Sequence, residues 1–193
     1  MTPKKLWLGF IAVMTISFAV LIYYGVEIYR QAPPIPDKVV TPDGTVIFTG
    51  QDIKDGQNVW QSLGGQELGT IWGHGAYQAP DWSADWLHKE AVFILNRLAM
   101  KTTGKSFQEQ TDENKAALEI TLQRELRKNT YDPQGKTITI SDDRAEAIAD
   151  NSRFYGGLFT NDPSLAKLRD AYSIPNNSIK DPERVKLLNA FFL

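Results

Sequence analysis

Between Leu6 and Val26 the chain carries no charged side chain. A helix over that run spans about 30 Å, the thickness of a bilayer's hydrocarbon core. A cleaved secretory leader needs a shorter apolar stretch followed by a small-x-small site. Here the nearest small residue, Ala32, has Arg30 two positions before it and Pro33 directly after it. The run is therefore read as a retained transmembrane helix, residues 6–27, behind a cytoplasmic tail, residues 1–5. Trp7, Tyr23, Tyr24 and Tyr29 lie near its ends, as interfacial aromatics do. Lys4 and Lys5 hold the N-terminus in the cytoplasm, which leaves the remainder on the other side of the membrane. Glu27 closes the run; solvation at the interface is its plain reading, proton entry the sharper one.

Composition narrows what the remainder can do. With no cysteine it can form neither disulfides nor zinc-thiolate or iron–sulfur sites, and it cannot hold haem covalently. Two histidines are too few for a multi-histidine metal centre, and a net charge of −2 leaves no footprint for nucleic acid. Ser-His-Asp and Cys-His signatures are missing, Gly73-x-Gly75 lacks the rest of a dinucleotide fingerprint, and Asp142-Asp143 sits at a helix start where it serves the dipole. The segment by itself supplies no catalytic residue.

Along the chain, residues 28–37 with Pro33, Pro34 and Pro36 read as a stiff linker. Val39-Val40 and Val46-Ile47-Phe48 flank a Pro42-Asp43-Gly44 turn, which predicts a β-hairpin. Thr49 caps a helix to about Leu63 whose buried side carries Ile53, Gly56, Val59 and Trp60. Asp81 starts a helix over about Trp82–Lys101, on which His88 is expected at the surface. A further helix runs from Thr111 or Asp112 to about Lys128, with Leu118, Leu122 and Leu126 in register. Tyr131–Gly135 is a turn, and Lys136–Ile140 alternates as a strand that pairs with Val46–Phe48 or with its own neighbour. Ser141 caps a helix to Phe159 with Ala145, Ile148, Ala149, Ser152 and Tyr155 on one face. A short helix, Ser164–Tyr172, follows Pro163. Asp181-Pro182-Glu183 is a strong helix start, and the apolar end of residues 181–193 reads as the opening of a second transmembrane helix.

The stretch Gly64–Trp86 (GGQELGTIWGHGAYQAPDWSADW) is dense in glycine and tryptophan. So many glycines exclude a helix interior, and the aromatics imply a loop packed against a body. Gly73–Pro80 (GHGAYQAP) resembles the segment after the haem-attachment motif of the small cytochrome c subunit of bacterial nitric oxide reductases, approximately C-x-x-C-H-T-L-L-G-E-G-A-Y-F-A-P. On that pattern the cysteines fall on Gly65 and Leu68 and the haem-ligating histidine on Gly69, so all three attachment residues are lost. Asp52–Glu90 as a whole resembles quinol-dependent, single-chain nitric oxide reductases, in which this haem-free domain is fused ahead of the catalytic region. The match weakens after Met100.

The resemblance implies a mainly α fold: one N-terminal transmembrane helix, then a periplasmic, haem-free cytochrome c-like helical domain over residues 38–180 with short β-hairpins. It implies a bacterial inner (cytoplasmic) membrane location. It makes the chain a non-catalytic part of a membrane quinol:nitric oxide oxidoreductase, anchoring and capping the haem b face of the catalytic multi-helix region. That region, downstream in the same chain or in a partner subunit, carries haem b, haem b3 and non-haem iron and takes electrons from quinol. In relatives, the carbonyls of the second glycine and the tyrosine of G-E-G-A-Y bind calcium; here these are Gly75 and Tyr77, with His74 in place of the glutamate. The alternative from the residues alone is a free-standing membrane-anchored scaffold or accessory subunit.

Overall fold

A computed structural model describes residues 3–65 and 67–193. The chain divides into two compact units, Met1–Ile35 and Pro36–Leu193. In the first, helix α1 covers Pro3–Gln31 and buries none of its residues. It is the one helix among the described residues long and apolar enough to cross a membrane. Side chains such as Leu8, Phe10, Ile16 and Leu21 are exposed along it, so water is a poor solvent for this surface and lipid a good one. Residues 28–31, expected in the linker, continue α1, and the helix stops before Pro33, which disfavours helical backbone in the residue preceding it. Glu27 accepts a hydrogen bond from Gln31 at 2.7 Å.

In the second unit, β1 (Lys38–Val40) and β2 (Val46–Thr49) form the expected antiparallel hairpin, with Val39 opposite Phe48. Asp43 closes its turn by accepting from the Thr45 N–H, and Gly44 supplies a φ of +88°. Two further strands, β3 (Tyr131–Asp132) and β4 (Thr137–Thr139), complete a sheet of order β2-β1-β4-β3. Here the pairing differs from one alternative read in the sequence. β4 runs parallel to β1 and not beside Val46–Phe48, and its other partner is its neighbour β3. Backbone hydrogen bonds tie β4 to β1, with the Ile140 N–H just beyond β4 donating to the Val40 carbonyl at 2.8 Å, while Val39, Phe48 and Ile140 share the core below.

Six helices build the rest: α2 (Gly50–Ser62), α3 (Trp82–Thr103), α4 (Asp112–Arg127), α5 (Asp142–Phe159), α6 (Ala166–Ala171) and α7 (Pro182–Phe192). Their starts follow from local chemistry. Thr49 and Asp52 form a reciprocal capping box, and Asp81, Thr111, Ser141 and Asp181 each accept from a backbone N–H of the first turn. Before α6, Pro163–Leu165 forms a 3₁₀ turn, so the short helix expected from Ser164 is split.

The tightest helix pair is α2 against α7. Gly56 lets the backbones meet: a Cβ there would lie 2.8 Å from the Phe191 Cβ and collide with the Leu187 carbonyl. Consequently residues 181–193, expected to open a second membrane helix, are seated in the domain core, with Leu188, Ala190 and Phe192 each 1% exposed. On α5 the buried set is Ala147, Ile148, Asn151, Tyr155, Leu158 and Phe159, so Ala149 is exposed and Ala147 takes the buried place instead. The face is wider than a single stripe because α5 packs on two sides. Ala147 meets Ile94 and Leu122 of α3 and α4, while Tyr155 and Phe159 join the main core with α7.

Candidate functional site

The glycine–tryptophan stretch folds as a loop held by one carboxylate at its exit. Asp81 Oδ2 accepts from Thr70 Oγ1 at 2.6 Å and from the Gly73 N–H at 2.5 Å, while Oδ1 accepts from the Ala84 N–H at 2.9 Å. Thr70 Oγ1 in turn accepts from the Gly75 N–H at 2.8 Å. The backbone closes behind them, Ala76 N–H donating to Ala79 at 2.8 Å and Trp82 N–H to Thr70 at 2.9 Å. Partial burial opposes the charge on Asp81, but the hydrogen bonds from Thr70, Gly73, Ala84 and Ser83 outweigh it and hold the carboxyl below its ordinary range.

Beneath the loop the space is filled by rings. Trp82 is 0% exposed and stacks on Phe192, centroids 5.6 Å apart at 6°. Trp60, Tyr155 and Tyr172 surround it edge-on at 6.2, 6.1 and 5.7 Å. The Trp82 indole N–H donates to the Leu68 carbonyl at 3.0 Å, fixing the ring against the loop backbone. A Cβ on Gly69 would lie 2.7 Å from that same Nε1, and φ there is +124°. At Gly65 a Cβ would lie 2.6 Å from the Trp60 Nε1. Leu68 packs against the core. The three positions aligned with the haem-attachment residues therefore do not fit a covalently held haem: two have no room for a side chain, and ring atoms occupy the interior.

The loop's outer face corrects an expectation. Trp82 and Trp86 pack against the body, but Trp72 is 86% exposed and Tyr77 fully so, and His74 is exposed as well. Trp72 also adopts a φ of +54°, an uncomfortable backbone region for a bulky residue, held by its N–H donating to Ser83 Oγ at 3.2 Å. Gly75 takes a φ of +77°. Among the described residues, no hydrogen bond ends on the carbonyl of Gly75 or Tyr77. Backbone carbonyl oxygens without a hydrogen-bond donor are of the ligand type that calcium takes. Side-chain clusters of three or more His, Cys, Asp or Glu are absent among the described residues.

Four polar groups have no signature in the sequence pattern. Tyr155 donates to Asp85 at 2.5 Å, and buried Glu90 pairs with Arg144 at 2.6 Å. Buried Arg169 is met by Asn176, Gly157 and Asn161, and buried Asn151 donates to the Trp86 carbonyl. Each contact joins residues on different elements, so periodicity carries no trace of it. His88 is exposed as expected, on the rim of a groove of about 400 Å³ that Phe93, Asn96 and Phe154 also line.

The family described as the NorB cytochrome c-like domain of nitric oxide reductase matches residues 36–193. The chain belongs to this family. Comparison with curated proteins returns no match. The matched span coincides with the second compact unit, α7 included, so the apolar C-terminal segment is part of the cytochrome c-like domain. As a member of the nitric oxide reductase family the chain is part of an oxidoreductase, and the mainly helical body around the loop carries the fold that the family's name describes.

Proposed function

We propose that this chain is the non-catalytic front part of a quinol-dependent nitric oxide reductase. Helix α1 anchors it in a bacterial inner membrane with the N-terminus cytoplasmic, and the cytochrome c-like domain stands on the periplasmic side. Reduction of nitric oxide to nitrous oxide belongs to the catalytic multi-helix region, which supplies the ligands of haem b, haem b3 and the non-haem iron. Electrons for nitric oxide reduction do not pass through the domain; quinol delivers them to haem b within the catalytic region. What the domain contributes is a fitted cap over the haem b face.

One observation carries this reading: a loop pinned by Asp81 exposes Trp72 and Tyr77, and the Gly75 and Tyr77 carbonyls accept no hydrogen bond among the described residues. Exposed aromatics on a rigid support suit burial against a partner surface. The Gly75 and Tyr77 carbonyls would hold calcium, whose charge offsets that of nearby carboxylates such as haem propionates. His74 brings no carboxylate to that ion, which leaves the backbone as this chain's contribution.

The test uses the complete reductase carrying Gly75→Val or Tyr77→Pro. Quinol-driven nitric oxide consumption is expected to fall and the haem b absorption spectrum to shift in both variants. Calcium chelation of the unaltered enzyme should give the same spectral shift. Activity and spectra unchanged in both variants would count against the cap.

A further inference from the structure

We propose that the aromatic cluster in the domain core is a one-electron relay ending at Tyr155, which is oxidised to a tyrosyl radical as Asp85 takes its proton. The oxidant is a small radical of the reactive-nitrogen class, nitrogen dioxide. This assigns the domain a protective redox activity separate from nitric oxide reduction and independent of the cap.

The geometry supplies each part of such a relay. Tyr172, half-buried at the rim, lies 5.7 Å from Trp82 between ring centroids. Trp82 lies 6.1 Å from Tyr155, which stacks on Trp86 at 5.2 Å and 11°. Neighbouring rings are thus in van der Waals contact from the rim to the centre, and every member of this route is a tyrosine or tryptophan, the side chains most easily oxidised by one electron. At the centre, Tyr155 is 0% exposed and donates its hydroxyl proton to Asp85 Oδ2 at 2.5 Å.

The Tyr155–Asp85 pair decides where the relay ends. Burial, and next the Asp85 carboxylate, hold the Tyr155 hydroxyl protonated far above the ordinary tyrosine range, so simple ionisation before oxidation is closed. Loss of the electron has to be coupled to movement of the proton along the existing hydrogen bond. Tyr172 is not given a hydrogen-bonded carboxylate, and Trp82 Nε1 donates to a backbone carbonyl that cannot accept a proton. Asp85 is itself partly exposed and lies 3.6 Å from Lys89.

The step balances. The Tyr155 O–H bond breaks, its proton bonds to Asp85 Oδ2, and its electron passes through Trp82 and Tyr172 to nitrogen dioxide, which leaves as nitrite. The products are neutral tyrosyl radical, protonated Asp85 and nitrite.

The experiment is pulse radiolysis of the full chain in detergent, with nitrogen dioxide generated from nitrite, read by transient absorption and freeze-quench electron paramagnetic resonance. A tyrosyl signal that outlives those of the exposed tyrosines is expected. It should be lost in Tyr155→Phe, lost or short-lived in Asp85→Asn, and delayed in Trp82→Phe. Near-UV circular dichroism and the unfolding midpoint verify that each variant is folded, and Tyr29→Phe, at an exposed tyrosine of α1, should leave the long-lived signal intact. A long-lived signal surviving in Tyr155→Phe or unchanged in Asp85→Asn overturns the proposal, as does its absence from the unaltered chain.

Discussion

At the residue scale the account turns on Asp81 and Gly69. Asp81 holds the loop through hydrogen bonds from Thr70, Gly73 and Ala84. Asp81→Asn keeps the size but removes the charge from those bonds, and should cost about 1–3 kcal/mol in chemical denaturation. Its carboxyl is depressed in the folded state, as is that of Asp143, where burial is outweighed by Lys101 and Arg97. A carboxylate lowered on folding contributes stability that is fully present above the unfolded value, about pH 4, and is lost as pH falls through the folded value. The acid limb of stability against pH should therefore be shallower in Asp81→Asn and Asp143→Asn than in the unaltered chain. Equal limbs would contradict the assignment. Gly69→Ala meets both the Trp82 indole and a positive φ, and should cost about 1–3 kcal/mol. Caps such as Asp81 were legible in the sequence because they act within one helical turn. The outward turn of Trp72 and Tyr77 was not, because an aromatic beside glycines reads alike whether it packs inward or faces a partner.

At the element scale the α2–α7 crossing is what makes the domain one body. Gly56 is the contact point, so Gly56→Val should break the crossing and cost several times more than Thr49→Ala. Loss of that cap is worth about 1 kcal/mol. Comparing the two unfolding midpoints measures the ratio; a milder effect at Gly56 would mean the helices do not depend on close approach. The existence and starts of α2, α3, α4, α5 and α7 were readable, since a capping residue precedes each of them. Two features were not. The sheet partner of β4 is β1, a strand roughly 100 residues earlier in the chain, and local spacing carries no trace of such long-range pairing. The burial of the α7 end in the domain was not legible either, because an element partly buried in a core and one facing lipid carry the same apolar signature. Asn189 within it is buried at the crossing with α5, where its side-chain N–H donates to Ser152.

At the scale of the whole molecule, one chain joins an exposed apolar helix to a helical domain with its own buried core. Residues 36–193 form their own compact unit, so that fragment should remain in the aqueous phase on detergent partitioning while the full chain enters the detergent. The central claim is that the cytochrome c-like interior now belongs to Trp60, Trp82 and Phe192, and that the domain serves as a support instead of a haem-borne electron carrier. The most direct measurement restores the lost attachment residues, Gly65→Cys, Leu68→Cys and Gly69→His together, in cells that attach haem c, and records the absorption spectrum and unfolding curve of the purified chain. The account predicts no folded haem protein: the rings leave no space, and a chain that acquires haem unfolds or aggregates. A stable, folded product with a c-type haem spectrum would contradict it.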